Sequence, residues 1–192
     1  MKKILYYTDG NIDPNIRDMC IEYLLKTDIP IISVSFEPMD LGTNICVGNQ
    51  PRCDETIFWQ IATGCMECLN DIVYLAEHDV LYHPSHFEFI PPLRGILYYN
   101  LNRYKWRLKD NKKWFWKSSN IAGRSQVVGW GRTVSEHFNG LYAKKKTFKS
   151  VYPNVDIRHD RNFTKGREPK KFVDNIPGWE NLKWQSGVHL LK

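Results

Sequence analysis

Apolar and polar positions fall in blocks that alternate along the first half of the chain. Lys3-Ile4-Leu5-Tyr6-Tyr7-Thr8-Asp9 is an apolar run closed by polar residues, and it reads as a first strand. Gly10-Asn11 turns the chain, Asp13 stands where a helix cap belongs, and Pro14 suits the first helical position. A helix from about Pro14 to Lys26 then places Ile16, Met19, Cys20, Tyr23 and Leu24 on one face. Pro30 to Phe36 reads as a second strand, and residues 37–53 as a loop rich in proline, glycine and asparagine. A second helix follows over about Asp54 to Leu69, with Ile57, Ile61, Cys65 and Cys68 at helical spacing. The run Ile72 to Ala76 is a third strand. This alternation predicts an α/β fold with a mainly parallel sheet.

The second half is less regular. Pro84, Pro91 and Pro92 interrupt it, and strand patterns recur at 95–101, 104–107 and 113–117. A turn is expected around Ser118 to Asn120, and Gln126 to Trp130 reads as a short strand or the approach to a helix. Thr133 to Lys144 has a helical pattern with Phe138 and Leu141 inward, and Thr133 and Glu136 have capping-box spacing. From Val151 onward proline, glycine and charge predominate, and the tail from Glu168 is expected to be poorly packed or a peripheral wrap. No repeat and no long linker divides the chain. One domain is expected over 1–192, with a nucleotide-binding half (1–82), an acceptor-side half (83–167) and the tail (168–192).

The third strand carries the sharpest chemistry. Its apolar run is of the kind buried on both faces, and it ends in Glu77-His78-Asp79. Sites of open α/β sheets lie at the carboxyl ends of their strands. If the backbone stays extended, Glu77 and Asp79 point to the same side. Two converging acidic oxygens suit a hard divalent cation, Mg²⁺ or Mn²⁺, carrying a substrate diphosphate. The plain alternative is a solvated loop after a strand.

At 192 residues the chain is long enough for a real core, and 42% hydrophobic with 25% charged residues is ordinary globular composition. No apolar run approaches the ~20 residues of a membrane span. Thr8 and Asp9 interrupt the N-terminal apolar run too early for a signal peptide, so a cytoplasmic protein is expected. Five cysteines fit free thiols better than a disulfide framework, and Cys65-Met66-Glu67-Cys68 has no second ligand pair at zinc-ribbon spacing. The net charge of +6 is uneven. Between 103 and 117, Arg103, Lys105, Arg107, Lys112 and Lys113 interleave with Tyr104, Trp106, Trp114 and Trp116. That mixture suits a polyanion with stacking faces, and Arg103, Lys105, Trp106, Lys112, Lys113 and Trp114 are the candidate acceptor contacts. A solvated face over core tryptophans is the alternative.

The stretch Tyr74 to Phe87, with its Glu77-His78-Asp79 acids and the continuation Val80-Leu81-Tyr82-His83-Pro84-Ser85-His86-Phe87, resembles the metal-binding segment of GT-A-fold nucleotide-sugar glycosyltransferases. It is most similar to small glycosyltransferase-like proteins of bacteria and their viruses. The resemblance spans roughly residues 4–165, is sharpest over about 72–89, and has a weaker echo at Asp156 to Thr164. It implies a Rossmann-like mixed sheet flanked by helices.

The resemblance also implies roles. Asp79 would be the main metal ligand, His159 the third protein ligand, and Glu77 would hold the ribose or a metal-bound water. The glutamate departs from the commoner aspartate and reaches farther. Thr8 and Asp9 end the first strand, where this fold holds base and ribose; Asp9 as a turn residue is the alternative. Arg52 precedes the second helix, whose N-terminus attracts anions, and Arg17 is a looser diphosphate contact. Glu136 stands where inverting relatives place a catalytic acid, with helix capping as its alternative, and Asp160 is a second candidate base. His83 and His86 are expected to shape their loop.

The function implied is a metal-dependent glycosyltransferase moving a hexosyl or pentosyl group from a nucleoside diphosphate sugar, a UDP-sugar foremost, to an acceptor hydroxyl. The cofactor would be Mn²⁺ or Mg²⁺. The basic, aromatic segment makes a hydroxymethylated pyrimidine of bacteriophage DNA a candidate acceptor, with a glycan or protein as competitor. A non-catalytic nucleic-acid-binding domain is the second class of function. Phosphoryl or nucleotidyl transfer is the third, without a P-loop pattern in its favour.

Overall fold

The computed structural model describes residues 1–109, 112–118, 123–162 and 171–180. Its elements in chain order are β1 (Lys2–Thr8), α1 (Pro14–Leu25), β2 (Ile31–Ser35), β3 (Thr43–Cys46), α2 (Asp54–Met66), β4 (Ile72–Glu77), β5 (Val80–Leu81), β6 (Ile96–Asn100), β7 (Arg103–Lys109), β8 (Lys112–Lys117), β9 (Val127–Trp130), α3 (Gly131–Phe138), β10 (Lys144–Phe148) and β11 (Asn154–Arg158). Two sheets result. The larger has the order β10-β6-β9-β4-β1-β2-β3 and the smaller β5-β11-β7-β8. In the larger sheet all pairs are parallel except those of β9 with β4 and β6. This is the mixed, mainly parallel α/β architecture that the alternation of the first half predicts, with helices against the sheet.

Period-two alternation divides each central strand between two cores. Leu5, Val73 and Leu75 meet Ile61 of α2 and Val134 and Phe138 of α3 on one side. Ile4, Tyr6, Tyr74 and Ala76 meet Leu24 of α1 with Val80, Tyr82 and Phe87 on the other. A third core lies under the small sheet, where Ile16 and Cys20 of α1 pack with Leu81, Trp106, Phe115, Val155 and Ile157. Thus α1 buries a single stripe (Ile16, Cys20, Leu24) against both sheets. Each such aliphatic side chain contributes on the order of 1.5–3 kcal/mol when fully buried. Asp13 accepts from the Asn15 amide at 2.9 Å and starts α1 with Pro14, as expected.

Several expectations change. The loop 37–53 contains an edge strand, β3, fastened by Asn44, whose side-chain amide donates to the Ser33 and Ser35 hydroxyls at 2.9 Å each. The last helix spans Gly131 to Phe138, not Thr133 to Lys144. It starts early because Gly131 fits where any Cβ would strike the Cys68 carbonyl oxygen. It ends early at Asn139-Gly140, where Gly140 has φ 93°, a conformation that stops helices and favours glycine. Leu141 is therefore exposed, not inward, and Lys144 to Phe148 form an edge strand. No capping box forms, since the Thr133 hydroxyl accepts from the Gly95 amide at 3.0 Å. In the region read as irregular, β11 is a central strand of the small sheet.

Within 171–180, Ile176 and Trp179 are buried, and the Trp179 indole donates to the Pro153 carbonyl at 2.7 Å, so this part wraps the small sheet. Cys65 and Cys68 are buried free thiols. The end of the expected turn at Asn120, the side chains of Lys112 and Lys113, Phe163 and Thr164, and the last twelve residues of the tail lie outside the described residues. Among the described residues no helix is long and apolar enough to cross a membrane.

Candidate functional site

The carboxyl ends of β1 and β4 open, with the N-terminus of α2 and the polar face of the small sheet, into a cavity of about 370 Å³. That is within the usual range of small-ligand pockets. Thr8, Asp9, Arg52, Glu77, Asp79, Arg103 and Lys105 all line it. So do Arg124, Asp156, Arg158 and Asn162, which the sequence pattern did not single out as site residues. Phe36 and Ile57 add apolar lining.

β4 stops at Glu77, and His78-Asp79 is a turn, so Glu77 and Asp79 do not share one side of an extended strand. Glu77 is paired with Tyr7 in the β1/β4 register and accepts from its hydroxyl at 2.6 Å. The Glu77 backbone amide donates to the Tyr82 hydroxyl at 3.0 Å, and that hydroxyl donates to the Ser125 carbonyl at 2.9 Å. Burial, and then the Asp79 charge, raises the Glu77 carboxyl to about 7. The cluster of ligand-type atoms at this turn does not include Glu77.

The turn instead brings His78 and Asp79 together with His159, and the ligand-type atoms of these three all lie within 4.8 Å of one another. The His78 Nδ1 shares a 2.6 Å hydrogen bond with the Thr8 hydroxyl and lies 3.8 Å from Asp9. Such an outer contact fixes the orientation of a metal-binding imidazole. His159 follows β11, whose Ile157 amide donates to the Asp79 carbonyl at 2.8 Å, and this link sets the two segments side by side. His159 Nε2 is 3.7 Å from Asp79 Oδ2, too far for a hydrogen bond. Among the described residues, neither nitrogen of this buried ring finds a hydrogen-bond partner. An orphaned buried imidazole beside a buried carboxylate is what a cation-binding pair leaves when its ion is removed, so the residues present fit a divalent metal.

Electrostatics support that fit. Burial alone would push the Asp79 carboxyl up, but His159, His78 and Arg158 together hold it below its ordinary value. Burial lowers the His78 imidazole, keeping it in the neutral form that ligates. Asn162 donates to Asp79 Oδ2 at 2.6 Å and accepts from the His159 amide at 2.7 Å, closing the turn over the cluster. Arg52 pairs with Asp9 and donates to the Arg161 carbonyl at 2.7 Å, which ties the α2 entrance to the same turn.

The other sequence candidates fall elsewhere. Glu136 is exposed on α3 and does not line the cavity, because α3 packs on α2 and β9. Asp160 is largely exposed at the rim, 3.9 Å from Arg107. Arg17 pairs with its neighbour Asp18. Trp106 is a core residue under the small sheet, not an exposed stacking face. Trp114 is half-buried against Phe172, with ring centroids 4.5 Å apart. His83 accepts from the Ser85 amide at 3.2 Å, and His86 is fully buried beside Asn100.

Of the residues that sequence reasoning passed over as site members, His78 was visible as the middle of Glu-His-Asp. Asp156, Arg158 and Asn162 lay in the weaker echo at 156–164. Arg124 had no signal; it reaches the α2 N-terminus by pairing with Asp54 at 2.8 Å.

No protein-family model matches the chain, and no curated protein sequence matches it either. Among solved structures, the inositol-1-phosphate CTP transferase from T. maritima is similar at a TM-score of 0.45 and 10% identity, over 82% of this chain and 89% of that one. A likeness this loose carries no argument about activity.

Proposed function

We propose that this protein is a metal-dependent glycosyltransferase that uses a nucleoside diphosphate sugar, with a UDP-sugar as the foremost donor. The observation that carries the reading is the cluster of His78, Asp79 and His159 at the carboxyl end of β4, opening into a cavity rimmed by Arg52, Arg103, Lys105, Arg124 and Arg158. His78, Asp79 and His159 would hold Mn²⁺ or Mg²⁺, which when bound neutralises a departing diphosphate as a Lewis acid.

The chain's own residues divide the remaining work. Thr8 orients His78, and Asp9 with Arg52 borders the end nearest α2, where Phe36 and Ile57 offer apolar contact to a base. Arg124, at the head of α2, adds positive charge for phosphate oxygens. In the transfer, the bond from the sugar's anomeric carbon to the diphosphate oxygen breaks, and its electron pair leaves with the diphosphate. A bond from that carbon to the acceptor oxygen forms, and the acceptor proton passes to a base. Asp156, inside the cavity and 3.9 Å from Lys105, takes the base role in preference to Glu136 and Asp160. A hydroxymethylated pyrimidine in DNA, as bacteriophages carry, is the acceptor favoured by the basic strand β7.

Thermal-shift measurement with nucleotide sugars, each with and without Mn²⁺, tests the reading. A ligand that binds the native state raises Tm by mass action. Stabilisation by one nucleotide sugar that needs Mn²⁺ and disappears in Asp79→Ala is the expected result. Equal stabilisation by a nucleoside triphosphate alone would replace glycosyl with nucleotidyl transfer, and no response to any donor would retire the transferase reading.

A further inference from the structure

The polar face of the small sheet extends past the cavity lining to Arg107. Strand alternation sends Tyr104 and Trp106 of β7 toward the core and Arg103, Lys105 and Arg107 to the opposite face. Register extends that face sideways. In β11, Asn154, Asp156 and Arg158 lie opposite Arg103, Lys105 and Arg107. In β8, Trp116 lies opposite Lys105 and Trp114 opposite Arg107. The result is a row of cations at intervals of about 7 Å along β7. It is flanked by Arg158 on one side and, on the other, by the buried Trp116 and half-buried Trp114. Arg103, Lys105 and Arg158 line the cavity, whereas Arg107 does not and stands at the rim with its side chain 38% exposed. The row therefore leads out of the cavity mouth.

Its charge balance favours an anion. Asp156 faces Arg103, Lys105 and Arg158 at once, with Lys105 at 3.9 Å and Arg158 at 3.8 Å, and Asp160 meets Arg107 at 3.9 Å. Asp79 bears on both Asp156 and Lys105 from the cavity side, so among the described residues these four cations stand against three carboxylates. Evenly spaced positive charge is how proteins track a nucleic-acid backbone, and here the neighbouring indoles pack against Phe172 and back the row rather than stand open for stacking. A cavity of about 370 Å³ excludes a duplex, so the reactive residue of a polymer must enter alone.

Resting on the glycosyltransferase reading for its reactive centre, we propose that this face is a track for the sugar-phosphate backbone of an unpaired nucleic-acid strand. Arg103, Lys105, Arg107 and Arg158 contact successive phosphates, and the acceptor residue turns into the cavity toward Asp156. Arg107 is the outermost of these four, and its removal leaves the donor end of the cavity intact.

Fluorescence anisotropy of a short labelled oligothymidylate, across a salt series, tests the proposal on the full-length wild type, Arg107→Gln and Lys105→Gln. Each variant is expected to bind more weakly. The slope of log affinity against log salt should shrink by about 0.7, because one phosphate is no longer neutralised. The Mn²⁺-dependent thermal shift with the donor is expected to be unchanged in Arg107→Gln, which also reports that the variant folds. An unchanged salt slope in both variants would overturn the proposal. So would tighter binding of duplex than of single strand, or competition by a sugar phosphate at the affinity of the oligonucleotide. Should wild type bind the strand but no donor, the transferase reading falls while the track stands.

Discussion

His159 Nε2 faces Asp79 Oδ2 across 3.7 Å, and neither nitrogen of the His159 ring has a hydrogen-bond partner among the described residues. The pair is held in place by backbone, through the Ile157 amide on the Asp79 carbonyl, so its separation does not depend on the two side chains attracting each other. A buried imidazole with both nitrogens unpaired costs stability, on the order of 1–3 kcal/mol for each missing partner. On the proposed metal reading, a cation held between Asp79, after β4, and His159, after β11, would offset that cost.

Catalysis should separate the carboxylates that sequence spacing could not. Asp156→Asn is expected to lower kcat by about 10²–10⁴, the usual contribution of general acid–base catalysis. Glu136→Gln, on the exposed side of α3, is expected to stay within about twofold of wild type, since surface changes away from the site are near neutral. Donor turnover assayed in both variants decides the matter, and the reverse ranking would return the base role to α3.

The reason for that ambiguity is physical. Periodicity marks buried faces well, so β1, β2, β4 and the stripes of α1 and α2 were legible, as was the acid-ended strand. It marks poorly any strand whose polar side lines a cavity. Asn154-Val155-Asp156-Ile157-Arg158 alternates as a strand should, but it lies where proline, glycine and charge predominate, and no strand was assigned there. Glu136 stood out through the resemblance, with capping-box spacing as its alternative, yet Gly131 sets the helix start by close approach to Cys68, a tertiary fact no local pattern carries. His159 was legible by resemblance alone, and the partner that matters beside it, His78, joins it only once the chain turns after Glu77.

Gly131 itself yields a stability prediction. A Cβ there meets the Cys68 carbonyl oxygen, which is backbone and cannot swing aside. Gly131→Ala is expected to cost about 1–3 kcal/mol or more, the usual range for overpacking. Urea denaturation would show it as a lower midpoint with an unchanged m-value, and a wild-type midpoint would mean α3 has room to shift.

Tyr7→Phe removes the donor that satisfies Glu77 within the sheet. A buried carboxyl is left with one partner fewer, and a loss of about 1–3 kcal/mol is expected. Tm at neutral pH measures it. No loss would mean that water or another group replaces the phenol.

His86 gives the fold an acid limit. The ring is fully buried, accepts from the Asn100 amide at 3.0 Å, and burial pushes its pKa down to about 3. Between about 6.5, its unfolded value, and about 3, the unfolded chain takes up a proton that the native state refuses. Stability is therefore full above about pH 6.5 and falls as pH drops, by up to about 1.4 kcal/mol per unit from this group. Urea midpoints measured from pH 7 to 5 should decline more steeply in wild type than in His86→Gln. Parallel slopes would place the acid sensitivity elsewhere.

The most direct test of the metal centre is calorimetric titration of Mn²⁺ into the wild-type protein and into His159→Ala. The expected result is one bound Mn²⁺ per wild-type chain, and its loss in a His159→Ala variant that retains a cooperative melt. Equal Mn²⁺ binding by both proteins, or none by the wild type, would contradict the site built from His78, Asp79 and His159.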